Sequence, residues 1–258
     1  MTPDTLRIAV VYPDLLGTYG DGGNGLILAK RAEWRGRRVE LLFATSERPL
    51  PGADVYCLGG GEDGPQVQAA RALLDDGTLV RRADDGAVVL AVCAGYQVVG
   101  RSFPGADGTV HEGLGLLDVV TAKGDGPRAV GEVVADPLDP DLPTLTGFEN
   151  HGGRTKLGAG VTPLARVTAG IGNGDAEHTE GALSGLIVGT YLHGPVLARN
   201  PVLADRLLSW ALDVDHDTLA PLDDTAAEAL RAERLARGQK RPPQRSRRKG
   251  FHRARRVM

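Results

Sequence analysis

The stretch Ala87–Val99 (AVVLAVCAGYQVV) constrains this chain more than any other part of it. An unbroken apolar run, long enough for a strand buried on both faces, passes straight into Cys93. Ala94-Gly95-Tyr96-Gln97 then opens a helical run. Strand, sharp turn, helix is the layout that holds a nucleophile proud of a parallel sheet. Small neighbours at Ala91, Ala94 and Gly95 let the strained turn close. A thiol at a helix N-terminus also meets the positive end of the helix dipole, which favours the thiolate. A free cysteine is equally an ordinary small core residue. This segment alone leaves both roles open.

The rest of the first half has the alternation that such a turn requires. Leu6–Tyr12 (LRIAVVY), Val39–Phe43, Ala53–Leu58 and Ala87–Val92 read as strands. Helical stretches over Leu26–Trp34 and Gln66–Leu74 separate them, ending at Gly36 and at Asp75-Asp76-Gly77. Alternation of this kind predicts a parallel sheet with helices on both faces. In the second half, Gly113–Val120, Arg128–Val134, Leu164–Val167 and Leu183–Val188 predict short strands, some antiparallel, added to the same sheet. Asn200–Leu212 predicts a helix with Asn200 as N-cap and Pro201 at its first position. Asp223–Gly238 predicts another, acidic at its start and arginine-rich at its end. From Gln239 onward the chain is rich in Pro, Arg and Lys and is expected to be disordered.

Composition narrows the function classes. In 258 residues, 36 Gly and 16 Pro are spread without a strict period, which excludes collagen-like and low-complexity chains. Aromatics at 4% argue against a stacking surface for single-stranded nucleic acid. No apolar run approaches the ~20 residues of a membrane span, and the N-terminus lacks a signal-peptide layout. Cys57 and Cys93 are not in metal-ligand spacing and make no disulfide framework, so a reduced, cytoplasmic protein is expected. The net charge of −3 hides an asymmetry: 11 Lys/Arg and no acid follow Glu233, leaving 19 basic against 33 acidic residues before them. Such a tail suits anionic lipid heads, nucleic acid or the acidic body itself.

A thiol nucleophile usually needs a histidine base, which can be remote in sequence. The six histidines are His111, His151, His178, His193, His216 and His252. His193, in Leu186–Pro195 (LIVGTYLHGP), follows a predicted strand, and strand ends of a parallel sheet share the edge where α/β sites are built. His151, in Gly147–Thr155 (GFENHGGRT), reads as part of a polar turn that orients its own loop. Position therefore favours His193. The glycines of Leu58–Gln66 (LGGGEDGPQ) suit backbone N–H groups that approach a ligand closely, as in an oxyanion hole, together with the Ala94 N–H. Gly17–Gly25 lacks the Gly-Lys-Ser/Thr ending of a P-loop, so ATP hydrolysis by that route is not expected. Cys57, with no small-residue turn after it, reads as core.

At these residues the sequence resembles the class I, triad-type glutamine amidotransferases of the cobyric-acid-synthase-like branch, and within it the GatD-type glutaminase subunits. The resemblance runs from about Leu6 to Leu212. It rests on Tyr19–Asn24, LGGGEDGPQ, the C-x-G-x-Q elbow at Cys93–Gln97, and GLGLLD at Gly113–Asp118. It continues through Arg128 with Gly131-Glu132, GFENHGGRT, the GNGD…EG residues from Gly172 to Gly181, and GTYLHGPVLARNP at Gly189–Pro201. The elbow alone is widely shared. GFENHGGRT combined with GTYLHGPVLARNP is far more specific.

The resemblance implies a three-layer, flavodoxin-like amidotransferase domain over 1–213; the residue pattern beyond it gives a helical extension over 214–238 and a basic tail over 239–258. It implies Cys93 as nucleophile and His193 as base, Gly60, Gly61 and Ala94 around the oxyanion, and Arg128 and Gln97 on the glutamine substrate. No metal or cofactor is implied for this chain. The expected partner is a MurT-like subunit of the Mur-ligase family that carries ATP and metal and amidates the D-glutamate α-carboxylate of lipid II. That substrate suggests work at the inner face of the membrane. Two departures stand out: Ala91 replaces a common Gly before the elbow, and Pro195 stands where relatives often carry the triad's Glu. The second implies that an acid of the partner orients His193, with weak glutaminase activity when the chain is alone. The alternatives are a partner-independent γ-glutamyl hydrolase or peptidase, amidation of a corrinoid acid, and a silent binding module.

Overall fold

The computed structural model describes residues 5–238; the predicted disordered tail lies outside the described residues. The first half alternates strands and helices: β1 (Leu6–Val11), α1 (Gly23–Trp34), β2 (Val39–Ala44), β3 (Val55–Leu58) and α2 (Asp63–Asp76). It continues with α3 (Thr78–Asp84), β4 (Val88–Val92) and α4 (Ala94–Val99). The strands β5 (Ser102–Pro104), β6 (Val110–Glu112), β7 (Val119–Lys123), β8 (Ala129–Pro137), β9 (Leu145–His151) and β10 (Gly153–Leu157) follow. Next come β11 (Ala165–Ala169), β12 (Thr179–Glu180), β13 (Ala182–Ser184) and β14 (Ile187–Thr190). The chain then forms α5 (Val196–Arg199), α6 (Pro201–Leu212), a 3₁₀ turn at His216–Thr218 and α7 (Thr225–Gly238).

The central sheet has six strands in the order β13-β14-β4-β3-β1-β2. All its pairings are parallel except β13 with β14. β4 is buried at every residue, as strands covered by helices on both faces must be. The alternation of strands and helices thus produces the α/β architecture it predicts.

The second half departs from expectation. Only β13 and β14, from Leu183–Val188, join the central sheet as expected; the other strands form two separate four-stranded sheets, β10-β7-β5-β6 and β12-β11-β8-β9. Short strands parted by tight Gly/Pro/Asp turns return mostly as antiparallel neighbours, because a parallel pairing needs a longer crossover, and only β5 with β7 is parallel in these two sheets. Leu183–Val188 is likewise a hairpin rather than one strand, turned at Gly185 with φ +54°. Gly115, at φ +69°, holds Gly113–Asp118 as a loop before β7 begins. His151 lies not in a turn but at the end of β9, and it is buried. Asn200 stands at the N-cap position of α6 without capping it. Its amide instead accepts from the Thr146 N–H at 2.9 Å and donates to the Thr146 carbonyl at 2.8 Å.

Both α6 and the segment after it are tied to α1 by arginines with buried side chains. Arg31 forks onto Asp205 at 2.7 Å and donates to Asp224 at 2.6 Å, while Arg35 reaches Asp205 at 2.8 Å and the Ala220 carbonyl at 2.7 Å. Planar guanidinium forks suit such bidentate pairing.

Candidate active site

The carboxyl ends of β4, β3, β1 and β14 meet at one edge of the central sheet. β4 delivers Cys93 there in a backbone conformation (φ 53°, ψ −103°) that an L-residue adopts only when its surroundings force it. The Cys93 N–H donates to the Thr190 carbonyl at 2.8 Å, and the Gln97 N–H returns to the Cys93 carbonyl at 3.0 Å. Gly95 donates to the Gly59 carbonyl at 3.0 Å, and a Cβ there would stand 2.7 Å from the Leu58 Cβ. The elbow therefore needs the glycine it has.

His193 arrives three residues after β14, the parallel neighbour of β4. Its backbone is pinned to β9 by reciprocal hydrogen bonds with Phe148, at 2.8 and 3.1 Å. The imidazole is 1% exposed. Its Nδ1 lies 2.7 Å from Oδ2 of Asp21, a buried residue of the loop between β1 and α1. The same carboxylate oxygen accepts the Gly60 N–H at 3.0 Å. Nδ1–H to carboxylate leaves Nε2 as the nitrogen available for catalysis. Burial pulls the His193 pKa down, but Asp21 and then Cys93 outweigh it and push it up to about 10. Both neighbours favour the protonated ring.

Asp21 overturns one expectation. His193 does have an orienting acid within this chain, so the missing Glu at Pro195 does not require one from a partner. Pro195 instead packs on the start of α1, its Cγ 2.6 Å from where a Gly23 Cβ would stand. Asp21 lay inside the Tyr19–Asn24 block without an assigned role. The available signal was its place after β1, whose carboxyl end shares the site's edge.

A cavity of about 220 Å³ opens at Cys93, with Gly61, Ala94, Gln97, Arg128 and His151 among its walls. Six of the seven sequence-derived residues gather here: Cys93, Ala94, Gln97, Gly61 and Arg128 at the cavity, and His193 beside the thiol. Gly60 departs from its expected part, because its N–H is taken by Asp21. Its value is steric, since a Cβ there would stand 2.8 Å from His193 Cε1. Arg128 is exposed at the mouth, its Nε on Asn150 Oδ1 at 2.5 Å. Asn150 in turn donates to the Tyr19 hydroxyl, and the Tyr19 ring meets His193 edge-on at 4.9 Å. Sequence reasoning assigned no role to Tyr19, Asn150 or Gln66. Only their convergence in space marks them.

A sheet of this order carrying a cysteine elbow is the frame of the class I glutamine amidotransferases. Solved structures agree on that fold. A crystal structure of a glutamine amidotransferase matches with a TM-score of 0.56 at 18% identity, over 79% of this chain and 98% of that one. A glutamine amidotransferase from Thermotoga maritima matches at 0.51 and 16%, over 93% and 100%. The CobB/CobQ-like glutamine amidotransferase domain matches residues 7–201, and the chain belongs to this family. Among curated relatives, the subunit GatD of lipid II isoglutaminyl synthase (glutamine-hydrolyzing) from Staphylococcus aureus is 37% identical over 81% of this chain and 85% of its own length. The same subunit from Streptococcus pneumoniae is 36% identical over 81% and 82%. Cobyric acid synthase from Pelotomaculum thermopropionicum is 36% identical over 67% of this chain but 35% of its own length.

Proposed function

We propose that this chain is the glutaminase subunit of a lipid II isoglutaminyl synthase. It hydrolyses L-glutamine and passes the ammonia to a MurT-type ATP-dependent ligase, which amidates the D-glutamate α-carboxylate of the lipid II stem peptide. The observation that carries the reading is the strained Cys93 at a cavity, with the Asp21-held imidazole of His193 beside it. The two GatD relatives, matched over most of their length, support the acceptor and the partnership.

In the reaction, the Cys93 thiolate adds to the side-chain carbonyl carbon of glutamine. The N–H groups of Gly61 and Ala94 take the oxyanion, and Arg128 and Gln97 hold the amino-acid end. His193 gives its Nε2 proton to the departing nitrogen, the C–N bond breaks, and ammonia leaves a γ-glutamyl thioester. Neutral His193 then takes a proton from water, whose oxygen displaces the Cys93 sulfur. Glutamate departs, and the thiolate–imidazolium pair is restored. Free ammonia would be protonated in bulk water at neutral pH, so transfer directly to the ligase preserves its nucleophilicity.

Co-purification with the ligase, followed by glutamine-dependent amidation of lipid II, tests this reading. The expected result is one amide gained per stem peptide, lost in Cys93→Ala and restored there by added ammonia. Amidation of a corrinoid acid but not of lipid II would contradict it. With Asp21 in place, low activity of the isolated chain no longer follows from a missing triad acid. Turnover of larger γ-glutamyl substrates by the isolated chain would favour the partner-independent hydrolase.

A further inference from the structure

Tyr191, two residues before His193, is fully buried and takes no part in the chemistry above. Its hydroxyl sits in the middle of a hydrogen-bonded chain that begins at the cavity. Gln66 Nε2 donates to Gln97 Oε1 at 2.9 Å, and Gln97 Nε2 donates to the Tyr191 oxygen at 3.1 Å. That oxygen lies 2.7 Å from Thr155 Oγ1, which lies 2.8 Å from Thr121 Oγ1. Because an amide nitrogen has only hydrogens to give, Tyr191 accepts from Gln97, while in the Tyr191–Thr155 and Thr155–Thr121 contacts either hydroxyl can donate. Turning the Gln97 amide alone would set two NH₂ groups against each other at Gln66. The orientation is therefore shared between Gln66 and Tyr191, the partners on the two sides of the amide.

The surroundings hold this arrangement in place. His151 stacks on the Tyr191 ring at 3.7 Å, and Tyr96 meets it edge-on at 5.2 Å. Burial pushes the Tyr191 phenol up to about 12, so it keeps its proton at neutral pH. A Cβ on Gly153 would stand 2.7 Å from Gln97 Nε2 and 3.3 Å from the Tyr191 oxygen. The last glycine of GFENHGGRT thus keeps open the space where the Gln97–Tyr191 bond is made.

We propose that Tyr191 is a positioning residue for the amino-acid substrate: through its hydroxyl it locks the Gln97 amide in the one orientation presented to the cavity, and Gly153 preserves the room for that bond. The proposal rests on the glutaminase reading and on Gln97 as a substrate contact.

The test is glutamine kinetics of the full chain with its ligase partner, in wild type, Tyr191→Phe, Gln97→Ala and the double variant. One neutral hydrogen bond corresponds to about a three- to tenfold change. Tyr191→Phe should raise KM by that factor with kcat little changed, and should add nothing in the Gln97→Ala background. Should Tyr191→Phe fail to fold, Thr155→Val, which removes the next link, should shift KM in the same direction and be silent once Gln97 is Ala. An unchanged KM, a fall confined to kcat, or a KM effect that persists in full without Gln97 would overturn the proposal. A wild-type complex that turns over no glutamine would remove the glutaminase reading, and the proposal with it. Active wild type with an unaffected Tyr191→Phe removes the proposal alone.

Discussion

Asp21 Oδ2 and His193 Nδ1 lie 2.7 Å apart, although 172 residues separate them in the chain. The contact exists because β1 and β14 run parallel within one sheet and end at one edge, so the loops after them share a rim. The carboxylate fixes which imidazole nitrogen carries the bound proton and which faces the thiol. Asp21→Asn keeps the shape but loses the charge. It should lower kcat for glutamine by about 10²-fold or more, the scale of a misassigned general acid–base. KM should change far less. Steady-state kinetics of the reconstituted pair measures both.

The same pair sets a pH dependence. The folded pKa of His193, about 10, lies above its ordinary value of 6.5. Its stabilising contribution is therefore complete below 6.5 and is lost as pH rises through about 10. The proton given to departing ammonia disappears over the upper part of that window. In wild type, turnover should hold to mildly alkaline pH and fall towards 10, whereas Asp21→Asn should fall at lower pH. Profiles of kcat against pH for the two proteins give the comparison.

Gly60 lies where a side chain cannot. The Cβ of Gly60→Ala would stand 2.8 Å from His193 Cε1 and 3.2 Å from Asp21 Oδ2. Overpacking of this kind costs about 1–3 kcal/mol of stability. The strain falls on the histidine–aspartate pair, so glutamine turnover should drop at least tenfold, the scale of a misplaced general base. Urea unfolding alongside kinetics separates the two effects.

The Arg31–Asp205–Arg35 cluster is remote from the cavity and should behave differently. Asp205→Ala leaves Arg35, 5% exposed, without its carboxylate and Arg31, equally buried, with Asp224 as its remaining one. Breaking a buried pair from one side costs about 3–5 kcal/mol. The urea midpoint should fall accordingly, while kcat measured well below that midpoint stays near the wild-type value.

Much of the site could be read from local patterns. The apolar run into Cys93 and small neighbours marks an elbow, and a histidine just after a strand of the same sheet falls beside it. Leu6–Val11 became a buried parallel strand because its β-branched run has no polar face to spare. What escaped was polar and non-local. β9 and β10 bury Glu149, His151 and Thr155 by hydrogen bonding, so they lack the apolar alternation that announces a strand. Glu149, for instance, accepts from the Ile171 and Gly172 N–H groups. An aspartate in a glycine-rich loop looks the same whether it meets water or an imidazole. Gly60 is needed for the room it leaves His193, and its N–H goes to Asp21 rather than to a ligand.

The central claim is that the Cys93 sulfur carries the γ-glutamyl group during turnover. Acid quenching of the wild-type complex in the steady state with glutamine, followed by peptide mass analysis, tests it directly. The expected result is one glutamyl adduct on the peptide containing Cys93, with none on Cys57 and none in Cys93→Ala. Full glutamine turnover by Cys93→Ala, or an adduct on any other residue, would contradict it.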